Sequence, residues 1–219
     1  MKRFLKLSAF IALTGFIISC GGPQGEKAAT GDAQELSVTT GDVNLKVDVA
    51  TSKVEWVGAK PTGQHNGTIG ISNGSIMLSD GNVVGGKFTI DMNSIVNLDL
   101  TSAEDNGKLV GHLKSPDFFD AAKYPTAAFE ITSANAVTGN EFATHNLTGN
   151  LTMKDVTKSI TFPVKVVIDG NQLTASTPDF VIDRTQWNVQ YGSKTLFDNL
   201  KDKFINDEIS LKISLNAGL

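Results

Sequence analysis

Residues 209–215 read Ile-Ser-Leu-Lys-Ile-Ser-Leu, a strict alternation of apolar and polar residues. Because successive side chains of a β-strand point to opposite faces, this segment presents its branched apolar residues on one face and its serines and lysine on the other. The same period of two recurs along most of the chain from Val43 onward, most clearly at 88–92, 129–131 and 160–168. The alternation predicts half-buried antiparallel strands and therefore an all-β domain.

Turn signals separate these segments and set the number of strands. The dipeptides that accept the positive φ of tight hairpins are Asn66-Gly67, Asn73-Gly74, Asp80-Gly81 and Asp169-Gly170. They predict about eight or nine strands, most of them joined by short links. That many strands, each with one apolar face, form either a two-sheet sandwich or a closed barrel.

The segment 97–125 breaks the alternation and predicts helix. Ser115 is a good N-cap, Pro116 suits the first helical position, and Asp117 complements the positive end of the helix dipole. Pro125 restricts Tyr124 to extended geometry and returns the chain to a strand. We expect one or two short helices that cover one end of the β structure.

The N-terminus has the layout of a secretory signal. Residues 1–19 contain three basic residues, no acidic residue and an apolar run at 7–18. That run is short for a permanent membrane span, which needs about 20 residues. It ends in Ile17-Ile18-Ser19-Cys20-Gly21, which resembles the lipobox of bacterial lipoproteins. In those proteins the cysteine is acylated, for example with palmitate, and becomes the first residue of the mature chain.

Residues 20–42 predict a lipidated cysteine followed by a flexible tether. The segment from Gly21 to Asp42 has no aromatic residue and almost no branched apolar one, and a coil of that length has a root-mean-square span of about 25 Å. We therefore expect a signal peptide at 1–19, a lipidated tether at 20–42 and one domain at 43–219. Gly21 after Cys20 resembles lipoproteins of the outer membrane, so we expect a lipid-anchored envelope protein facing the periplasm.

Charge excludes one class of partner. Without the signal, 16 basic residues stand against 23 acidic ones, a net charge of −7. Such a chain lacks the basic surface that binds nucleic acid. Its lysines are scattered and form no polybasic cluster that would bind anionic lipid. Membrane attachment is therefore expected through the acyl chains on Cys20.

The chain offers little material for catalysis. His65, His112 and His145 lack the i, i+4 spacing and the cysteine partners typical of zinc sites, and Cys20 is the only cysteine. We predict no catalytic residue, no metal and no cofactor other than a bound lipid. An alternative is a lipid isomerase or hydrolase, which requires His112 or His65 beside a carboxylate at the mouth of a ligand site.

The aromatic residues leave two interpretations of the interior. An eight-stranded barrel encloses a space that side chains either fill or leave wide enough for one small ligand. The inward-facing residues of these strands are apolar and free of charge, as a site for an apolar ligand requires. The alternative is a packed, ligand-free barrel that serves as an interaction module, and interlocking of Phe88, Phe129, Phe162 and Phe180 would favour it.

Two motifs resemble the YceI family of bacterial envelope proteins. Residues 111–120 read Gly-His-Leu-Lys-Ser-Pro-Asp-Phe-Phe-Asp and are followed by Lys123-Tyr124-Pro125. Residues 147–158 are similar to the family's Gly-x-Leu-Thr-x-x-Gly-Val-Thr segment, although Asp155 stands where the family often has glycine. The resemblance runs roughly from Val43 to the C-terminus and includes a weaker match at 182–187.

This resemblance implies an extended lipocalin-like antiparallel β-barrel of about eight strands, with a long apolar tunnel that binds polyisoprenoid chains such as quinones or prenyl phosphates. We expect the tunnel lining to include Trp56, Phe88, Ile90, Phe129, Ile131, Phe162, Val164, Phe180 and Ile182. We expect the polar groups at its mouth to be His112, Lys114, Arg184 and Trp187.

Arg184 has an alternative role in a structural ion pair with Asp117 or another acid. Residues 54–60 depart from the His-Ser and alternating apolar residues with which the family's sequence pattern usually begins. The resemblance therefore does not imply the head group of the ligand. The expected partners are a polyisoprenoid or quinone-type lipid, the membrane through Cys20, and a second copy of the chain in a homodimer.

Overall fold

The structure is a computed structural model that describes residues 23–36 and 41–219. The described residues form thirteen strands: β1 Glu26–Lys27, β2 Ala29–Asp32, β3 Val43–Val47, β4 Lys53–Lys60, β5 Gly63–Ser79, β6 Asn82–Asp91, β7 Val96–Asn97, β8 Thr126–Ala136, β9 His145–Met153, β10 Val156–Asp169, β11 Gln172–Ser176, β12 Phe180–Asp183 and β13 Glu208–Gly218. One α-helix, α1, spans Ala103–Lys114, and short 3-10 turns lie at Met92–Ser94, Arg184–Trp187 and Lys201–Lys203.

Eight of the strands close into an antiparallel barrel. The ring of pairings runs β13, β4, β5, β6, β8, β9, β10, β11 and back to β13. The segment 209–215 lies in β13, where it pairs with β4, β11 and β12. The all-β barrel of about eight strands is confirmed, and of the two β architectures that the alternation allowed, the closed one is formed.

The predicted helix start at Ser115 is wrong, because Ser115 ends α1. Its backbone is extended, with φ −73° and ψ 168°, while the Ser102 side chain accepts a hydrogen bond from the Asp105 amide at the other end of the helix. The reason is the restriction that Pro116 places on the preceding residue, which excludes helical geometry at Ser115. Glu104 and Asp105 in the first turn supply the negative charge that a helix start favours.

Two of the four predicted turns are also wrong. Asp80-Gly81 forms a hairpin turn, and a second hairpin turns at Gly170-Asn171, directly after Asp169, but 66–67 and 73–74 lie inside the long strand β5. At Gly67 a side chain would collide with the Val96 carbonyl oxygen, 1.8 Å from the position of a Cβ atom. This glycine therefore serves close approach of two backbones rather than a turn.

Residues 23–36 are not the flexible tether that composition predicts. β1 pairs in parallel with β12, and β2 pairs with residues 158–161 of β10. Because β11 pairs with β10 only from Lys165 onward, the start of β10 has a free edge that β2 covers. Main-chain hydrogen bonds to a free edge do not require apolar side chains, and Ala28 alone is buried in this segment.

The signal peptide and Cys20 lie outside the described residues. Within 23–36 and 41–219, no helix has both the length and the apolar character that a bilayer crossing requires.

Candidate ligand cavity

Two adjoining cavities occupy the inside of the barrel. The larger, here called the large cavity, has a volume of about 300 Å³, and the small cavity has about 120 Å³. They share a ring of four wall residues, Val54, Ile90, Leu151 and Leu211. The interior is therefore divided lengthwise into two chambers that meet at this ring.

The nine residues predicted to line the tunnel all lie in the wall of one or both chambers. Trp56 and Ile182 line the large cavity, and Ile90 lines both. The remaining members face the small cavity: Phe88, Phe129, Ile131, Phe162, Val164 and Phe180. Their contact with a ligand stays a prediction.

The small cavity is narrowed by a row of phenylalanine rings. The ring centroids of Phe88 and Phe129 are 6.2 Å apart, those of Phe129 and Phe162 5.7 Å, and those of Phe162 and Phe180 4.5 Å. The last two rings are stacked, with an interplanar angle of 5°. Thr177 is the single polar residue in the described wall of this chamber. This row, here called the phenylalanine ladder, fills much of one half of the barrel.

The large cavity carries the polar groups. Its wall includes Lys60, His65, His112 and Arg184 among predominantly apolar side chains. Helix α1 contributes Leu109 and Leu113 as well as His112, so the helix covers this end. Lys60, His65 and His112 are at least partly exposed and lie at the rim of the chamber, whereas Arg184 is buried.

His65 is held by a carboxylate at the rim. Its Nδ1 lies 2.8 Å from Oδ2 of Asp99, whose other oxygen accepts hydrogen bonds from the Asn66 amide at 2.9 Å and from the Asn97 side chain at 2.5 Å. Burial opposes ionisation of Asp99, but the Asn66 amide and the His65 and Asn97 side chains outweigh it and lower the pKa of the carboxyl below its usual range. An ionised Asp99 fixes the orientation of the imidazole.

The same network attaches α1 to the barrel. The Asn106 side-chain amide donates to the backbone oxygen of Asn97 at 3.1 Å and to that of Leu100 at 3.1 Å, and it lies 3.2 Å from the Asn97 side-chain oxygen. Asn97 is buried, with 6% of its surface exposed, and also donates to the Asn66 backbone oxygen. Buried amides of this kind are stable only when their hydrogen bonds are made, so the position of α1 is specified by polar contacts.

His112 also has a carboxylate partner. Its Nε2 lies 3.0 Å from Oδ2 of Asp117, and its ring meets the edges of Phe118 and Tyr191 at centroid distances of 4.9 and 4.8 Å. His112 therefore lies in the wall of the large cavity, and its contact with a ligand stays a prediction. Asp117 is occupied by this histidine and is not the partner of Arg184.

Arg184 lines the large cavity but is a structural residue. It is 2% exposed and donates hydrogen bonds to the backbone oxygens of Asn206, Val189, Tyr191 and Ile205. Its nearest acid is Asp207, at 3.7 Å, so the alternative of an ion pair with another acid describes it better than a ligand contact. Burial lowers the pKa of the guanidinium, and Asp207 and Asp183 oppose that change.

Two of the residues predicted at the mouth lie elsewhere. Trp187 is fully buried, and its Nε1 donates to the Leu151 backbone oxygen at 2.9 Å. It packs within the hydrophobic core and not in the wall of either chamber. Lys114 points along the outer surface and donates to the Asn93 backbone oxygen at 2.6 Å. Neither belongs to the wall of a cavity.

Residues 45–217 match a family model described as the YceI-like domain. The chain belongs to the YceI-like family. A UPF0312 protein of Pseudomonas paraeruginosa is 40% identical over 85 residues, which cover 39% of this chain and 39% of that protein. Protein YceI of Escherichia coli O157:H7 is 32% identical over 105 residues, covering 48% of this chain and 50% of that protein. These matches span half or less of the relatives' own length.

Solved structures share the YceI-like fold. BcnA of Burkholderia cenocepacia superposes with a TM-score of 0.61 at 26% identity, covering 78% of this chain and 98% of that one. A polyisoprenoid binding domain from Saccharophagus degradans, implicated in plant cell wall breakdown, superposes with a TM-score of 0.56 at 16% identity, covering 80% and 97%. At 16% identity the second likeness shows the fold alone. The family resemblance carried by 111–120 and 147–158 is confirmed.

Several wall residues of the YceI-like barrel were not among the predicted lining. Ile209 and Leu211 line the large cavity, and Leu211, Ile213 and Leu215 the small one. Their signal was the alternation at 209–215, which already placed them on one face. Leu109 and Leu113 had no such signal, because their helix was predicted to begin after them.

A metal site was not predicted. The described residues contain no group of three or more His, Cys, Asp or Glu side chains placed to hold a metal ion.

Proposed function

We propose that the protein holds one polyisoprenoid lipid, such as a quinone or prenyl phosphate, in its barrel for storage or transport in the bacterial envelope. The observation that carries the proposal is the apolar chamber of about 300 Å³ inside a YceI-like barrel. That volume lies at the lower end of the roughly 300–1,000 Å³ typical of ligand pockets. The adjoining small cavity extends the apolar path for a longer chain.

The energetics of such a site favour a hydrocarbon chain. An apolar chamber is poorly hydrated, so an entering chain displaces little ordered water. Each buried methylene contributes about 0.8 kcal/mol. Burial of roughly 10 to 15 such units offsets the several kcal/mol that association costs. Binding therefore needs no catalytic residue, and the polar rim of the large cavity sets the direction of the chain.

We also propose that Cys20 is acylated, with palmitate among its acyl chains, and anchors the protein in the outer membrane on the periplasmic side. Among the described residues the first strand starts at Glu26, six residues after Cys20. Six extended residues span about 20 Å at most, so an acylated Cys20 would keep the barrel within that distance of the bilayer. Apolar ligands reside there, and a short path favours their exchange.

The anchor is tested with an alkyne analogue of palmitate in cells that produce the protein. Wild type is expected to incorporate the label and to sediment with outer membranes, while Cys20→Ser is expected to lose both. Label retained on Cys20→Ser would contradict the anchor and leave the cavity proposal standing.

The ligand is tested by mass spectrometry of a solvent extract from the purified protein. We expect about one polyisoprenoid chain per protein chain. Protein that carries no such lipid, and that takes up no added quinone or prenyl phosphate after stripping, would contradict the proposed function.

A second candidate is a ligand-free interaction module of the envelope. The phenylalanine ladder favours it, because these rings interlock across one half of the barrel. This candidate predicts that lipid uptake is absent while association with another envelope component, or with a second copy of the chain, survives.

A lipid isomerase or hydrolase is favoured by the two histidines that stand beside carboxylates at the rim, because each pair has the form of a general base. Incubation with a prenyl ester and analysis of the products distinguishes an enzyme from a lipid carrier. An enzyme turns the ester over, whereas a carrier returns it unchanged.

A further inference from the structure

The loop at 188–207 presents exposed apolar side chains beside the large cavity. Leu196 is 50% exposed and its neighbour Phe197 is 49% exposed, and we call this pair the apolar tip. Ile205, near the end of the same loop, lines the large cavity, and it forms a β-bridge with Ser193, three residues before Leu196. The apolar tip therefore stands close to the wall of this chamber, on its outer side.

The backbone of the apolar tip already has its hydrogen bonds. The Phe197 amide donates to the Ser193 backbone oxygen at 3.1 Å, and the Leu196 amide donates to Oγ of Ser193 at 3.3 Å. Oγ1 of Thr195 donates to Oδ2 of the buried Asp207 at 2.7 Å and so ties this turn to the start of β13. An unpaired amide is costly away from water. Leu196 and Phe197 can therefore leave water without exposing an unpaired amide.

Lysines stand on both sides of the apolar tip. Lys194, Lys201 and Lys203 are exposed, and two exposed acids, Asp198 and Asp202, nearly balance their charge. The core of a protein–protein interface is depleted of lysine. At a bilayer surface, by contrast, a lysine stem lies along apolar groups while its ammonium group stays in the headgroup region. The composition of the loop therefore favours a lipid surface over a protein partner, and its near-neutral charge requires no anionic lipid.

The N-terminal segment lies against the barrel near this loop. Oγ of Ser210 donates to the Gln24 backbone oxygen at 2.6 Å. Ser210 lies two residues, or about 7 Å, beyond Glu208, which directly follows the loop and begins β13. Cys20 is four residues before Gln24, a span of about 14 Å at most. The other end of β13, Gly218, is eight residues, or about 27 Å, from Ser210. A bilayer that holds Cys20 is therefore nearer to the loop than to the opposite end of the barrel.

We propose that the apolar tip inserts into the surface of a lipid bilayer and turns the large-cavity end of the barrel toward it. Leu196 and Phe197 enter the region just below the headgroups, and the lysines of the loop stay among the headgroups. Two side chains alone bind a bilayer weakly, so the tip orients a chain that a tether at Cys20 already holds there. The inference rests on the proposed function for this tether alone and is independent of the ligand in the cavity.

The test reports the surroundings of the tip by tryptophan fluorescence. Phe197→Trp is compared with Phe142→Trp, an exposed position in the loop between β8 and β9 at the small-cavity end, and wild type supplies the baseline of Trp56 and Trp187. Each protein is tethered through Cys20 to phosphatidylcholine vesicles with brominated acyl chains, which quench an indole only at close range. The tether is the acyl group on Cys20 or, if the thiol is unmodified, a maleimide lipid coupled to it. Failure of the acylation proposal therefore leaves this test intact.

Insertion predicts selective quenching at the tip. Brominated chains are expected to lower the emission of Phe197→Trp about twofold beyond the change in wild type, with or without anionic lipid, because its indole lies among the acyl chains. Phe142→Trp should change like wild type. Equal quenching of the two variants, or no extra quenching of Phe197→Trp, would overturn the proposal and leave the anchor and the cavity standing. Quenching that requires anionic lipid would assign binding to the lysines and would overturn it too. A blue shift of Phe197→Trp emission that grows with protein concentration without vesicles would identify a second copy as the partner instead.

A charge at the tip provides a second check. Leu196→Asp, added to Phe197→Trp, should abolish the extra quenching because a carboxylate resists transfer out of water. The matched control is Val167→Asp in the same background, since Val167 in β10 is also about half exposed. The control should keep the quenching of Phe197→Trp. Extra quenching that survives Leu196→Asp in a folded protein would contradict insertion of the apolar tip.

Discussion

The two ends of the barrel are built by different means. Around the small cavity the walls are apolar, and aromatic rings stack across the interior. Around the large cavity, hydrogen bonds to backbone oxygens hold two segments in place. Asn97 and Asn106 fix helix α1, and Arg184 fixes the loop at 188–207. Lys154 adds another link, donating to the backbone oxygens of Phe118 and Asn188, and burial lowers the pKa of its ammonium group.

This difference shows how one barrel can be both stable and hollow. Apolar packing stabilises by filling space, so the end held by packing alone keeps only the smaller of the two cavities. Polar contacts to the backbone hold the walls of the large cavity apart without occupying its centre. The phenylalanine ladder around the small cavity supplies stability, and the large cavity offers most of the room for a ligand.

The strongest test of this contrast is the loss of a ring from the phenylalanine ladder. Phe162 is 3% exposed and contacts both Phe129 and Phe180. Phe162→Ala should lower the free energy of unfolding by about 3–5 kcal/mol, measured by urea denaturation. The comparison variant Ile209→Ala, in the wall of the large cavity, should cost only about 2 kcal/mol because Ile209 is half-buried and loses fewer atoms. Equal losses in the free energy of unfolding for the two variants would contradict the claim that the two ends are stabilised differently.

The next test removes the polar centre of the loop at 188–207. Arg184→Met leaves the carbonyl groups that Arg184 binds without donors in a buried position. The expected loss is about 3 kcal/mol in the free energy of unfolding. Lys203→Met, an exposed cation on the same loop, should stay within about 0.5 kcal/mol of wild type. A loss below about 1 kcal/mol in Arg184→Met would show that packing holds the loop.

Attachment of the covering helix is tested by Asn106→Ala. This change removes the donor to the Asn97 and Leu100 backbone oxygens and should cost about 1–2 kcal/mol, despite the better helix propensity of alanine. Hydrogen exchange should rise within 103–114 and stay unchanged in β10. Lys108→Ala, which breaks an exposed pair with Glu104, is the control and should change stability by less than about 0.5 kcal/mol. Protection of α1 that is identical in Asn106→Ala and wild type would contradict its attachment by this network.

The smallest effect concerns the ionisation of Asp99. Because its folded-state pKa is lowered, its charge stabilises the fold above the usual carboxyl pKa of 3.8, and this contribution is lost as the pH falls through the folded-state value. Asp99→Asn should therefore cost about 1 kcal/mol at pH 7, and the difference from wild type should shrink below about pH 4. Urea denaturation at pH 7 and at pH 3 measures both values. A difference that grows on acidification would reverse the assigned direction.

The sequence predicted the apolar end better than the polar end. Alternation identifies an inward face directly, so Phe88, Phe162 and Phe180 could be placed from their spacing alone. Arg184 acts through backbone oxygens of its own loop, and no side-chain pattern in a sequence reports where those oxygens point. The positions of Trp187 and Lys114 likewise depend on a 3-10 turn and on a helix boundary. The strands at 26–32 were missed because they pair with free strand edges through backbone hydrogen bonds. Amino-acid composition gives no information about such bonds.

Photo-cross-linking with a diazirine-bearing farnesol analogue tests most directly whether the large cavity is the site of an apolar chain. Saturable labelling of residues in its wall, such as Ile69, Leu109 and Ile209, with displacement by unlabelled farnesol, is the result that we predict. Labelling confined to exposed apolar residues such as Phe142, which is 70% exposed and lies in the loop between β8 and β9, would contradict it.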